Sequence, residues 1–247
     1  SLASVNIQFH QLFYGLMSAL LITTVYCVYL TKNIQIVFVD LMPLKEISKL
    51  AFQFFLSLLT LSFIAQSDKL IVDKFFGPEE FVNYFYLANL FLFPFSFIQS
   101  YIGFKEIVVM KKQPNYELLK TSVKVFVFSV IFAFCLFLAV KTFVEIDLIK
   151  INLSAHTDII LLFLVTGIVR LVYAIYSAYF SCFATAKDVK MANVYTIISI
   201  LFLLYIISEI TLNVQAIALF LTSIWVIRLT IWMKLSFKLK SKICATN

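Results

Sequence analysis

Apolar runs of about twenty residues recur along the chain, and short segments that carry most of the charge separate them. A helix needs about 20 residues to cross a bilayer core, whereas strands of membrane barrels alternate apolar and polar residues over about ten. The pattern therefore predicts an all-α fold, a polytopic transmembrane helix bundle of about seven spans. We expect the spans near residues 9–31, 47–66, 81–103, 121–144, 157–183, 193–211 and 214–233.

The composition favours the same fold class. Hydrophobic residues make up 62% of the chain and charged residues 13%, with a mean hydropathy of +0.99. Soluble domains are about 45–50% apolar and about 25% charged. The net charge of +7 lies mainly in short connectors, which indicates membrane orientation rather than nucleic-acid binding.

The sequence offers no catalytic or metal-binding pattern. Its four cysteines and two histidines lack the spacing of metal ligands or of a redox motif. There is no Ser/His/Asp ordering and no glycine-rich phosphate loop. We therefore expect no catalytic residue, no metal and no cofactor. Glu145, Asp147, His156 and Asp158 fall around one predicted outer loop, where a solvated loop is favoured over a catalytic site.

The lysines predict an orientation, because short cytoplasmic connectors retain positive charge. With the C-terminal end placed inside, fourteen lysines fall on the inner side and four on the outer side. We therefore expect Ser1 outside and Asn247 inside. An outside start before an odd number of spans, with no recognisable signal peptide, leads us to expect that a further N-terminal half precedes this chain.

The predicted organisation has four parts. We interpret residues 1–31 as the last helix of an N-terminal lobe, 32–46 as a cytoplasmic linker, 47–233 as a six-helix lobe and 234–247 as a basic cytoplasmic tail. The connector from Phe104 to Lys120 interleaves apolar residues with lysines. It fits either a short amphipathic segment on the membrane surface or a basic loop that orients the protein.

Arg170 is the most informative single residue. At 1.5 Å per residue it lies roughly 18 Å and roughly 25 Å from the charged ends of its predicted span. A charge near the bilayer centre costs at least about 2.5–3.5 kcal/mol, so it should face a partner or an aqueous cavity. It either faces a ligand or is fixed by a carboxylate or by helix-end carbonyls of another span. Small and polar residues share its helix face: Gly167, Ala174, Ser177 and Ser181.

Arg228 is a second candidate on the last span. It lies six residues before Lys234, so its long side chain could instead reach the cytoplasmic headgroups, and we favour that interpretation. Trp225 and Trp232 flank it at i−3 and i+4, which suits cation–π contacts and also an interfacial aromatic belt.

One segment resembles a known family. The run from Gln66 to Phe97, QSDKLIVDKFFGPEEFVNYFYLANLFLFPFSF, resembles the start of the second half of bacterial Wzx-type O-antigen and capsule repeat-unit flippases. These belong to the multidrug/oligosaccharidyl-lipid/polysaccharide exporter superfamily. The family's usual Gly before the Tyr is absent, and its basic residue is often Arg. The matching positions are Asp68 and Lys69 for the acid–base pair, Gly77 and Glu80 for the connector, and Tyr84 and Ala88 for the aromatic start of the eighth span.

The resemblance implies the C-terminal half of a twelve-span exporter whose two lobes enclose a cationic, alternately opening cavity. It implies a transporter rather than an enzyme, one that moves undecaprenyl-pyrophosphate-linked oligosaccharides across the bacterial inner (cytoplasmic) membrane. A polysaccharide polymerase and a chain-length regulator are candidate partners. A diphosphate would be attracted to guanidinium groups, and tyrosines could stack on sugars, although core packing is their default. The candidate substrate-binding residues are Arg170, Tyr173, Ser177 and Arg228, with Tyr176 and Tyr179 on the same helix as Tyr173.

Other functions remain open from the sequence. A lipid II flippase would share the cationic cavity. A drug/cation antiporter of the same superfamily should carry acidic residues within its spans, and here the acids fall mostly in predicted connectors. A membrane-embedded glycan ligase or acyltransferase would need catalytic acids or histidines in a sizeable loop. A structural or assembly subunit is the remaining alternative.

Overall fold

The structure is a computed structural model that describes residues 44–112, 116–149, 151–208 and 213–246. The first predicted span, residues 9–31, lies outside the described residues, as does most of the predicted linker. The described residues contain no strand and form six long helices joined by short connectors, with a 3₁₀ turn at Ser154–His156. The helices are α1 (Leu44–Phe76), α2 (Pro78–Lys112), α3 (Leu118–Glu145), α4 (Thr157–Phe183), α5 (Ala186–Ser208) and α6 (Val214–Thr246).

All six helices are long and apolar enough to cross a bilayer. Many large apolar side chains lie on the outer surface, among them Phe97 at 74% and Phe104 at 72% exposure. Such a surface would be unfavourable in water and suits contact with lipid tails. The predicted polytopic helical membrane bundle is therefore confirmed.

Helix α4 is the centre of the bundle. It packs against α2, α3 and α6, and 56% of its most apolar stretch is buried, compared with 17% in α1 and in α3. Gly167 allows α2 to approach closely, because a methyl group at this position would overlap the ring of Phe95. Since Phe95 is fully buried and its ring also packs on Phe132 of α3, it has little room to move.

Side-chain contacts give the relative directions of the helices. Tyr84 packs on Phe163, and Gln99 bonds Arg170 further along both helices, so α2 and α4 run parallel. Helix α6 also runs parallel to α4, because successive contacts from Thr222 to Arg228 advance along α4 as well. The intervening helices α3 and α5 run back, so the described part of the chain crosses the bundle up and down in sequence order.

The connector predicted between Gln66 and Glu80 is wrong in extent. Helix α1 continues to Phe76, and only Gly77 separates it from α2. Gly77 has φ of +82°, the left-handed conformation that ends helices and that glycine adopts without a steric penalty. Pro78 then begins α2, where its missing N–H leaves no helical bond unmade. Charged residues of the predicted loop therefore belong to helices.

The first half of the Phe104–Lys120 connector also differs from the prediction. Helix α2 continues without a break to Lys112, and Met110 on this extension is 2% exposed. The segment up to Lys112 is therefore neither a separate surface helix nor a loop. Neither glycine nor proline occurs between Gly103 and Pro114, and packing of Cys182 on α4 against the Ile107 carbonyl supports the extension.

A buried pair ties the end of α2 to the start of α3. The Tyr116 hydroxyl donates a hydrogen bond of 2.6 Å to the Glu106 carboxylate, and both side chains are buried. Burial, together with the adjacent carboxylate, raises the pKa of Tyr116. The phenol therefore stays protonated and keeps donating throughout the physiological pH range.

The connection between α4 and α5 is short, and the segment after residue 233 is helical. Only Ala184 and Thr185 lie between α4 and α5, where Thr185 and Asp188 form reciprocal hydrogen bonds that cap α5. Helix α6 does not end near residue 233 but continues to Thr246, so most of the predicted basic tail is helical.

Candidate functional site

Arg228 is enclosed by three helices at the centre of the bundle. Its side chain is 1% exposed. The Nε atom donates to the Tyr173 hydroxyl on α4 at 3.0 Å, and Nη2 donates to the Ser57 hydroxyl on α1 at 3.1 Å. The Nη1 atom is buried and has no partner in the described part of the chain. This placement overturns the interpretation that the side chain reaches headgroups: its polar partners lie inside the bundle instead.

Arg170 lies closer to the surface of the bundle and is half-buried. Its Nε atom donates a hydrogen bond of 3.0 Å to the Gln99 amide oxygen on α2. Its guanidinium carbon lies 4.9 Å from the centre of the Trp225 ring on α6. Arg170 is thus held by one neutral acceptor and one aromatic face, contacts compatible with a retained positive charge.

Aromatic rings connect the two arginines. The Tyr173 ring meets the Trp225 ring edge-on at 5.6 Å and the Trp232 ring at 5.4 Å. Arg228 lies over both Tyr173 and Trp232, at 5.2 and 5.4 Å from their centres. The five residues form a continuous series of cation–π and edge-to-face contacts between α4 and α6. We call this series the arginine–aromatic cluster: Arg170, Trp225, Tyr173, Arg228 and Trp232.

The cluster agrees with part of the sequence prediction. Trp232 makes the cation–π contact with Arg228 that the i+4 spacing allows, whereas Trp225 stacks on Arg170 instead. Tyr173 is 2% exposed, so its ring packs in the core in this conformation. The other candidates on the helix differ in exposure: Tyr176 and Tyr179 are buried, Ser177 is half-buried and Ser181 is exposed.

Neither arginine has a carboxylate partner among the residues that the structure describes. In the described part of the chain, the ion pairs all involve lysines, namely Lys105, Lys120 and Lys141. Among the described residues, Asp68 forms no ion pair with Arg170. Two positive groups inside membrane-spanning helices, held by hydroxyl, amide and aromatic groups, leave positive charge for an anion to balance.

The acid of the Gln66–Phe97 segment is also buried. Asp68 is 1% exposed, and its Oδ2 atom accepts a 2.9 Å hydrogen bond from the Tyr84 hydroxyl on α2. Its Oδ1 atom has no partner among the described residues. Lys69, next to it, lies over the Phe85 ring at 5.4 Å and near Gln66. Asp68 and Tyr84, sixteen residues apart on two different helices, thus contact each other.

The expectation that acidic residues lie mostly in connectors needs correction. Asp68 lies within α1 and Glu106 within α2, and both are buried. Around the loop predicted to lie outside, Asp158 accepts a bond from Gln215, and Glu145 lies 3.8 Å from Lys141. Glu145 and Asp158 are exposed and contact neighbouring polar residues. They do not form a common site with the buried acids Asp68 and Glu106.

The sequence did not indicate the polar partners of the cluster. Gln99 and Ser57 hold the two arginines, yet they lie 71 and 171 residues away from them. Thr166 and Thr222, which share a 2.8 Å hydrogen bond between α4 and α6, were also not singled out. The only signal in the sequence is that each is a polar residue within an apolar run.

The fold and the cluster define the class of this protein as a multi-pass α-helical membrane protein with a buried cationic centre. Comparisons with protein-family models, with curated proteins and with solved structures found no match. The particular function therefore rests on the chemistry of the site.

Proposed function

We propose that this chain is part of a membrane transporter that moves a lipid-linked, pyrophosphate-bearing oligosaccharide across the bilayer by alternating access. The observation that carries the proposal is the pair of arginines within the spans, neither of which has a carboxylate partner in the described residues. A pyrophosphate presents several oxygens to a guanidinium, and such charge-assisted bonds are strong where water is excluded.

Within this proposal the two arginines have different tasks. Arg170 is half-buried and makes one hydrogen bond among the described residues, to Gln99, so its remaining nitrogens are available to the diphosphate. Arg228 supplies positive charge from inside and fixes Tyr173 and Ser57. Ser177, two turns beyond Arg170 on the same helix, is half-buried and a candidate for sugar contact.

The resemblance of the Asp68–Tyr84 segment to Wzx-type flippases narrows the proposed cargo to O-antigen or capsule repeat units on undecaprenyl pyrophosphate. We place the protein in the bacterial inner membrane, with its C-terminal end in the cytoplasm, on the distribution of lysines. In such an exporter two lobes enclose the transport cavity.

The test is complementation of an export-deficient strain with the full-length gene. The wild-type gene is compared with genes that encode Arg170→Gln or Arg170→Lys. We expect the wild-type gene to restore surface polysaccharide and Arg170→Gln to reduce it at least tenfold, with Arg170→Lys intermediate because it keeps the charge but not the planar fork. Membrane-fraction immunoblots control for insertion. Export at the wild-type level by Arg170→Gln, at equal protein amounts, would remove Arg170 from the mechanism.

Cation antiport is the second candidate, and one observation favours it. Asp68 is a buried carboxylate within a span, and one of its oxygens has no partner among the described residues. Such a group can exchange a proton for a cationic solute. Drug resistance conferred by the full-length gene and abolished by Asp68→Asn, without any effect on surface glycan, would favour antiport over flipping.

A further inference from the structure

A groove separate from the arginine–aromatic cluster runs between α5 and α6. Its volume is about 660 Å³. Tyr195 and Ile198 of α5 form one wall, and Ile227 and Ile231 of α6 form the other. Lys234 and Lys238 line one end and are both exposed. The groove is therefore apolar along most of its length and basic at one end.

Apart from the Tyr195 hydroxyl, the interior of the groove offers little to a polar ligand. Ser199 and Thr230 line it, but each hydroxyl donates to a carbonyl of its own helix, at 2.8 and 2.9 Å. From Lys238 to Ile227 the groove follows eleven residues of α6, roughly 16 Å towards the middle of the span. A chain of methylene groups fits such a surface, whereas a hydrated ion does not.

The two lysines lie at the depth of lipid phosphates. Lys234 is twenty residues beyond the start of α6 at Val214, roughly 30 Å along the helix, which matches the hydrocarbon thickness. Lys234 and Lys238 are four residues apart and share one face of the helix. Their side chains can therefore both reach one phosphate.

The positive charge of this end is not balanced by the protein. Among the described residues, no acidic side chain lines the groove, and neither Lys234 nor Lys238 forms an ion pair. Asp188 lies in the adjoining crevice, but its carboxylate accepts bonds from the Thr185 amide and hydroxyl at 3.1 and 2.6 Å. An anion is needed to complement the groove.

We infer that the groove binds one anionic phospholipid, with its phosphate between Lys234 and Lys238 and one acyl chain along Ile227 and Ile231. The apolar length selects a lipid over a free phosphate. The pair of lysines selects an anionic lipid over a zwitterionic one, whose headgroup carries its own cation. The site is independent of transport chemistry at Arg170.

The test uses full-length protein, delipidated and then placed in nanodiscs of phosphatidylcholine with increasing phosphatidylglycerol. Native mass spectrometry counts the lipids that stay bound. We expect one phosphatidylglycerol to be retained by the wild-type protein and Lys234→Gln/Lys238→Gln to bind it about thirtyfold more weakly, since each lysine near an anionic surface contributes about five- to sixfold. Phosphatidylcholine should not be retained.

The matched control is Lys120→Gln/Lys124→Gln on α3. These lysines are also exposed and four residues apart, but they line a crevice that contains Glu106 and Glu117, and Lys120 pairs with Glu117 at 2.9 Å. We expect less than a twofold change. A second variant, Ile231→Trp, keeps both charges and should block the acyl chain, lowering retention at least fivefold.

Three results would overturn the inference: equal loss in the groove and control pairs, displacement of the lipid by soluble glycerol phosphate, and unchanged retention in Ile231→Trp. The inference would also be overturned if a second copy of the protein or another part of the chain covered the groove and kept added lipid out. Size-exclusion profiles that match the wild-type profile establish that each variant is folded.

Discussion

The two ends of the arginine–aromatic cluster carry the same charge in different surroundings. At one end, Arg228 is 1% exposed, bonds two hydroxyls and lies over two rings. At the other, Arg170 is half-buried, bonds one amide and stacks on one ring. The more enclosed arginine connects α1, α4 and α6, so its main role is structural. The less enclosed one has capacity left for a ligand. Charge within a span is therefore not sufficient to identify a binding residue; the residue also needs unused donors that a ligand can reach, and Arg228 is too enclosed to offer its own.

Replacing Arg228 by alanine should have the largest effect on stability. The substitution leaves a cavity between Tyr173 and Trp232 and removes the donors that join three helices. We expect a loss of about 2–5 kcal/mol in the free energy of unfolding, as for other large-to-small core substitutions. Reversible unfolding in mixed micelles measures it. Arg170→Ala should cost less than half as much, and equal losses would erase the contrast between the two ends.

Replacing Gly167 by alanine should act on the Arg170 end alone. The added methyl group overlaps the buried Phe95 ring and pushes α2 away from α4, one turn before Arg170. Overpacking of this kind costs about 1–3 kcal/mol. The Arg170–Gln99 bond should lengthen while the contacts of Arg228 stay intact.

Gly103→Ala on α2 is the matched control, because a methyl group there would meet nothing within 4 Å. Since alanine is the better helix former, we expect Gly103→Ala to be neutral or stabilising by up to about 1 kcal/mol. Unfolding of both variants under identical conditions gives the comparison. Similar behaviour of the two alanine variants would contradict the close α2–α4 contact.

Much of the fold could be predicted from the sequence, but its polar details could not. Apolar runs of span length are a property of each segment alone, so six of the expected helices are found in the described residues. The charges of Asp68 and Lys69 lowered local hydropathy and led to a predicted loop, although Tyr84 allows the acid to stay within α1. Charged residues such as Asp68 and Lys69 do not end a helix, and α1 ends only at Gly77.

The sequence could predict those parts of the candidate site that depend only on which residues lie within an apolar span. A lone arginine in an apolar span is conspicuous, and both arginines were singled out for that reason. Which arginine is enclosed depends on Ser57 and Gln99, which reach the cluster only through the packing of distant helices. Because Arg228 lies close to Lys234 in the sequence, we expected its side chain to reach the headgroups. In the structure the side chain points towards Tyr173 and is buried.

Among the destabilising substitutions, replacing Gln99 by leucine should have the smallest effect on stability. It removes the one hydrogen bond that Arg170 makes to a described residue and leaves the Trp225 contact in place. Hydrogen bonds between membrane helices average about 0.6 kcal/mol, so we expect a loss of that size in unfolding. A loss above about 2 kcal/mol would mean that Gln99 fixes Arg170 as part of the fold.

The central claim is that Arg170 meets the ligand whereas Arg228 maintains the site. The most direct measurement is the affinity of purified full-length protein for a short-chain polyprenyl pyrophosphate oligosaccharide, compared among wild type, Arg170→Gln and Gln99→Leu. We predict at least tenfold weaker binding by Arg170→Gln at nearly unchanged stability. Gln99→Leu should bind as well as wild type or better, because it frees the guanidinium. Unchanged affinity in Arg170→Gln would contradict the claim.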